Sequence, residues 1–131
     1  MSNHENLDTV KRLYAAFGTG DLQGLLAALD AGITWAVPGS APWAGEGRGH
    51  AHVQGFFQKF GSSASLETFE PRSFVADGDT VVVLGYEEGT LRQTGRKWKA
   101  HFTHTFTMSG GKITAHREYI DTQAIAEALR A

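Results

Sequence analysis

The stretch Trp98-Lys99-Ala100-His101-Phe102-Thr103-His104-Thr105-Phe106-Thr107-Met108-Ser109-Gly110-Gly111-Lys112-Ile113-Thr114-Ala115-His116-Arg117-Glu118-Tyr119-Ile120-Asp121 decides the fold. Two alternating runs flank a Ser-Gly-Gly turn, the pattern of a long β-hairpin. On one face the aromatic residues are interrupted by His104, and His116 and Glu118 stand across the turn. Titratable groups among aromatics mark a chemically active pocket rather than a plain core. Whether the three share a face depends on register, because a slip of one residue reverses the face of every side chain. A two-residue Gly-Gly turn sets His104 opposite Arg117 and turns Ile113, Ala115 and Tyr119 inward. A three-residue turn over 109–111 pairs His104 with His116 and Phe102 with Glu118. It sends Ile113, Ala115, Tyr119, Thr103 and Thr105 outward.

Working outward, residues 66–76 and 80–91 read as strands joined by the turn Asp77-Gly78-Asp79. At the other end of the chain, Leu7, Val10, Leu13, Tyr14 and Phe17 recur at helical spacing, and Gly18 and Gly20 supply a stop. Asp21 is placed to cap a short second helix carrying Leu22, Leu25, Leu26 and Leu29. Ile33 to Val37 alternate as a short strand that leaves at Pro38 into a loop over 38–49. A third helix carries Val53, Phe56, Phe57 and Phe60 on one stripe and breaks at residues 62–65. After the hairpin, Asp121 caps a short terminal helix with Ile125 and Leu129. The layout predicts an α+β fold, a cone-like curved antiparallel sheet of about 4–6 strands wrapped around three N-terminal helices. Such a sheet leaves a cavity between its layers, a favourable place for a small ligand.

The chain has 131 residues, enough for one domain over 1–131 with its own core. Its net charge of -2 gives no reason to expect nucleic acid or an anionic membrane as partner. It has no cysteine, which excludes disulfides, thiol nucleophiles and cysteine-held metals. The start, Met-Ser-Asn-His-Glu-Asn, lacks a charged-then-apolar signal and no apolar run reaches membrane-spanning length, so a cytoplasmic protein is expected.

Three groups of residues carry a family resemblance. They are Tyr14 to Leu22 in the first two helices, Trp35-Ala-Val-Pro38-Gly with Ala44-Gly-Glu-Gly-Arg-Gly49, and Gly110-Gly-Lys-Ile with Arg117-Glu-Tyr-Ile-Asp121. In order and spacing the chain resembles the nuclear-transport-factor-2-like superfamily, in its SnoaL-like polyketide cyclase and ketosteroid-isomerase-like branches. The resemblance implies a cofactorless cavity and selects the hairpin register. In the isomerase and epoxide-hydrolase relatives, pocket residues fall four, six and eight positions after the lysine of the Gly-Lys turn, here His116, Glu118 and Ile120. The same parity turns Val81, Val83, Gly85, Glu87 and Gly89 inward, together with Ile33, Trp35 and Val37. The outer face is then too apolar to be left in water, which leads to the expectation of a homodimer through that face.

Residue by residue, His104 matches the oxyanion-stabilising acid of ketosteroid isomerases. The cyclases use a histidine and a carboxylate at positions matching His104 and Glu118. The hydrolases place carboxylates at Glu87 and Glu118. The departures point the other way. The isomerase base position holds Val37, its oxyanion tyrosine position holds Leu13 beside Tyr14, and Gly85 stands where the hydrolases carry an arginine. The candidate catalytic residues are therefore His104, Glu118 and Glu87. The candidate substrate wall is Tyr14, Trp35, Val37, Phe102, Phe106, His116 and Ile120.

Desolvation among aromatics raises a carboxyl pKa toward the working range of an acid/base catalyst. His104, His116 and Glu118 have donor types suited to a metal, but no metal and no cofactor is expected. Each residue also has a plainer role: His104 with Glu118 closing a buried polar gap, Glu87 as a solvated strand-end carboxylate, Trp35 as core. Two readings stay open. One is an enzyme for isomerisation, aldol-type cyclisation or hydration of a small apolar oxygen-bearing molecule. The other is a non-catalytic binding module using the same cavity.

Overall fold

The structure is a computed structural model that describes residues 2–130. Ser2 opens the first helix, α1 (Asn3–Gly18), with a capping box: its Oγ accepts from the Glu5 N–H, and Glu5 accepts from the Ser2 N–H. The Asp21 side chain caps α2 (Leu22–Ala27) through the Gly24 N–H, as expected. Next come β1 (Leu29–Val37), β2 (Gly45–Arg48), α3 (His50–Ser63), β3 (Ala64–Asp77), β4 (Thr80–Leu91), β5 (Lys97–Ser109), β6 (Lys112–Ile120) and α4 (Thr122–Ala128). Asp121 caps α4 through the Ala124 N–H. Among the described residues no helix is long and apolar enough to cross a membrane.

The six strands form one curved, open sheet in the order β2-β1-β6-β5-β4-β3. All neighbours are antiparallel except β1 and β6, which run parallel. Two details differ from the sequence expectation. Residues 45–48, expected as loop, form β2 on the edge of β1; Gly-Glu-Gly-Arg carries no apolar alternation, so backbone pairing alone makes it a strand. Residues 64 and 65, expected in the helix break, already belong to β3.

The core lies between the helices and the concave face of the sheet. Along β4 the inward residues Val81, Val83, Gly85, Glu87 and Gly89 are all buried. Gly85 and Gly89 have a packing reason: a Cβ at Gly85 would run into the Phe102 ring, and one at Gly89 into the Trp98 ring. Those rings come from the facing register positions of β5, so each aromatic lies across the glycine opposite it.

The hairpin corrects both registers considered from sequence. Its turn has two residues, Gly110 and Gly111, with φ of 57° and 81°, the left-handed pair of a type I′ turn. Ser109 faces Lys112 and Met108 faces Ile113, but the next pair is Thr107 with Ala115. Thr114 is therefore the extra residue of a β-bulge, with its Oγ1 donating to the Thr107 carbonyl at 3.2 Å. Beyond the bulge His104 faces Glu118, Phe106 faces His116 and Phe102 faces Ile120. The inward set His104, His116 and Glu118 is the one the three-residue turn had required, reached by a bulge instead. Ile113, expected outside, precedes the bulge and is fully buried, whereas Tyr119 beyond it is 55% exposed.

Deleting Thr114 should remove the bulge and restore regular pairing, with Thr107 still facing Ala115 and Phe106 still facing His116, so that His116 and Glu118 stay inward. The expected outcome is a cooperative transition at a cost of no more than about 3 kcal/mol. Thr114→Ala keeps the residue count and should cost about 1 kcal/mol or less. Urea unfolding of the two variants side by side checks this pair of outcomes.

Candidate active site

A cavity opens between α1, α3 and the concave sheet face. Its volume is about 570 Å³ counting the open mouth. Its wall is mainly aromatic, and its polar groups are Tyr14, His104, Glu118, Glu87, His116 and Trp35.

Three of them form a hydrogen-bonded chain. Tyr14, on the inner face of α1, places its hydroxyl 2.7 Å from His104 Nδ1. His104 Nε2 lies 2.8 Å from Glu118 Oε2, directly across the β5–β6 ladder. The Phe102 ring stacks on His104 with centroids 4.3 Å apart, and His116 meets it edge-on at 4.9 Å. With so little water around it, the pair is governed by desolvation. Burial pushes His104 down to about 3 and raises Glu118 to about 7. The contact is thus between a neutral imidazole and a carboxyl that titrates near neutrality, rather than a permanent ion pair.

Those protonation states set the direction of each bond. When Glu118 is ionised it only accepts, so His104 carries its proton on Nε2 and Nδ1 accepts from the Tyr14 hydroxyl. When Glu118 is protonated it can donate to Nε2. The imidazole proton then sits on Nδ1 and points at the Tyr14 oxygen, which frees the Tyr14 O–H for the cavity. Burial and the nearby Glu118 both raise the Tyr14 pKa, so the phenol stays protonated in either state.

Glu87 stands on β4, 6% exposed, and its Oε2 accepts from Trp98 Nε1 at 2.9 Å. A solvated strand-end role does not hold for it. Burial, then the charge of Glu118, raises its pKa to about 7 against the opposing Trp98 hydrogen bond. His116 is held well below its ordinary range by burial and by His104, with a backbone hydrogen bond at Thr105 acting the other way.

The structure brings seven of the ten sequence candidates to the wall: His104, Glu118, Glu87, Tyr14, Trp35, Phe106 and His116. Three stand elsewhere. Val37 is buried core at the end of β1, and Ile120 is half-buried against the core. Phe102 lies behind the wall, between the cleared space at Gly85, the His104 ring and the Phe69 ring, on which it stacks at 5.2 Å. Sequence reasoning missed Phe69, because bulges in β3 break the alternation that would have placed it. It read Phe56, Phe57 and Phe60 as a helix stripe without assigning them to the cavity; their half-burial on α3 is what puts them there. Among the described residues no group of three or more His, Cys, Asp or Glu is placed to hold a metal ion.

The family model described as SnoaL-like domain matches residues 10–116. Among solved structures, a nuclear-transport-factor-2-like protein from Burkholderia xenovorans is 40% identical, with 99% of each chain covered and a TM-score of 0.92. A second such protein, of unknown function, from Burkholderia pseudomallei is 30% identical, with 100% of each chain covered and a TM-score of 0.88. TerC, co-crystallised with polyporic acid, is 29% identical, with 97% of this chain and 99% of that chain covered and a TM-score of 0.83. No curated protein matches the sequence.

The buried groups predict an unusual pH profile. Glu87 and Glu118, raised from 4.5 to about 7, contribute stability that is full below 4.5 and lost as pH rises through 7. His104 and His116, lowered from 6.5, contribute stability that is full above 6.5 and lost as pH falls. Between pH 4.5 and 6.5 the two sets oppose each other, so wild-type stability should be nearly flat. In E87Q/E118Q the histidines are unopposed. Stability should then fall as pH drops across that window, by roughly 1.4 kcal/mol per pH unit for each uncompensated proton. Urea unfolding at half-unit pH steps distinguishes the flat profile from the sloping one.

Proposed function

The chain belongs to the SnoaL-like domain family, and from that premise we propose that its cavity performs cofactorless acid/base chemistry on a small, apolar, oxygen-bearing molecule. The carrying observation is the Tyr14–His104–Glu118 chain opening into an aromatic cavity. A carboxyl with a pKa of about 7 is evenly divided between acid and base near neutral pH, the condition that suits a general acid/base catalyst. Ionised Glu118 takes a proton from carbon next to a carbonyl, and the electron pair moves onto the carbonyl oxygen. The proton taken from carbon stays on Glu118, His104 keeps its own on Nε2, and the Tyr14 O–H turns from Nδ1 to donate to the developing enolate oxygen. Return of the proton to a different carbon is isomerisation; attack of the enolate on a second carbonyl is aldol-type cyclisation. Hydration would use the same carboxylate to activate water. The relative TerC, crystallised with polyporic acid, supports a small organic ligand for this class of cavity.

A second reading, a binding module without turnover, is favoured by Val37. At the position where ketosteroid isomerases carry their base, this chain has an apolar side chain buried in the core. Deuterium exchange into a panel of cyclic ketones and β-diketones in D₂O, followed by proton NMR, separates the two. The acid/base reading expects exchange that rises with Glu118 ionisation near pH 7 and falls about 10²-fold or more in Glu118→Gln. Full exchange in that variant would sink the mechanism, and binding of the panel without exchange would leave the second reading.

The proposal includes a homodimer joined through the convex sheet face. Leu84, Thr103 and Tyr119 lie side by side across β4, β5 and β6, and Leu84 and Tyr119 are exposed there. Sedimentation should give a dimer that Leu84→Lys converts to a folded monomer; a monomeric wild type would refute the pairing.

A further inference from the structure

Two buried polar atoms on the cavity residues have no hydrogen-bond partner among the described residues, Trp35 Nε1 and His116 Nδ1. Their residues face each other on the β1–β6 pair, with ring centroids 4.3 Å apart. Both side chains line the cavity, at 5% and 4% exposure. Buried polar atoms are normally paired, so two adjacent orphans call for an explanation. Neither takes part in the Tyr14–His104–Glu118 chain.

Their chemistry is complementary. The indole N–H can only donate, and a neutral imidazole with its proton on Nε2 presents Nδ1 as an acceptor. A hydroxyl satisfies both at once: its oxygen accepts from Trp35 and its hydrogen goes to His116. A carbonyl or ether oxygen satisfies only the indole, and an ammonium only the imidazole. Water has the same two capacities, but here it would find two polar partners, the low end of what holds a buried water. The surroundings suit an aromatic frame better. Phe56 and Phe57 pack on Trp35 with centroids 5.6 and 5.9 Å away, and Phe106 stacks on His116 at 4.9 Å. Phe56 and Phe57 are half-buried on α3, so a ligand reaches the pair by turning a phenyl ring aside rather than by moving backbone.

We propose that Trp35 and His116 form a hydroxyl-binding subsite that accepts the phenol- or enol-type oxygen of an aromatic ligand. The subsite adjoins the reacting groups, since the His116 and His104 rings are 4.9 Å apart. It rests on the acid/base reading of the cavity and narrows its substrate class. The ligand carries one hydroxyl seated on Trp35 and His116, and its reacting position lies a ring's breadth away at Glu118.

Phenol, anisole and toluene are suitable probes, being both donor and acceptor, acceptor only, and neither. Titration of each is followed by the indole N–H signals in a proton–nitrogen correlation spectrum, with the Trp35 signal assigned by its loss in Trp35→Phe. Phenol should bind about tenfold more tightly than toluene, with anisole between them, and should move the Trp35 signal while leaving those of Trp43 and Trp98 in place. In Trp35→Phe the preference for phenol over toluene should shrink toward unity with toluene affinity unchanged. Should that variant fail to fold, the wild-type signal still decides. Absence of phenol binding, a stationary Trp35 signal at saturation, or an unaltered preference in Trp35→Phe would each overturn the subsite, the second meaning that water alone occupies the pair. Such a failure leaves the Glu118 exchange result intact, whereas full exchange in Glu118→Gln removes the acid/base reading without moving the Trp35 signal.

Discussion

How one extra residue is accommodated in one strand governs which side chains this protein can use. Thr114 adds a residue to β6 without adding one to β5, so the ladder changes parity partway along its length. On the turn side Ile113 faces in and seals the base of the core; on the far side His116 and Glu118 face in and meet the cavity. With Thr114 kept in the ladder, regular pairing would force a choice between an apolar seal and a polar wall. The bulge allows both on a strand of nine residues.

From that parity follows the electrostatic character of the site. Glu118 reaches His104 because the two face each other across the ladder, and α1 supplies Tyr14 from the opposite layer. The aromatic surround then withholds water from all three. In an exposed setting a histidine and a glutamate at 2.8 Å would hold opposite charges. Here burial keeps the histidine neutral, and the contact becomes a relay whose bond directions depend on the one proton of Glu118. Glu87 is subject to the same surround from a separate strand, anchored by Trp98 instead of by a histidine.

Much of this was legible in the chain. The helix stripes, the Asp21 and Asp121 caps, the alternation of β4 and the hairpin all have strong local signals, and the structure places them where those signals point. The site was legible from strand alternation for His104 and Glu87, whereas the inward face of Glu118 and His116 came only from the family resemblance. It was illegible where geometry has no local signature. The bulge at Thr114 looks in sequence like any other strand residue. β2 is made by pairing with a neighbour, which Gly-Glu-Gly-Arg does not announce. Phe102 satisfies every sequence rule for a wall residue, yet Gly85 opposite leaves it room to lie down behind the wall. Phe69 was hidden by irregularities in β3.

The parallel pairing of β1 with β6 carries a consequence for how the molecule comes into being. Every other strand neighbour is joined by antiparallel pairing, but Trp35 meets His116 only after β2, α3, β3, β4 and β5 have been made. Such distant pairings close late, because the loop between them must be ordered first. During synthesis β1 would wait with one edge bare and Trp35 without its neighbour, the state most open to pairing with another chain. The last strand of this sheet to emerge is therefore the one that both completes the cavity and covers the bare edge of β1.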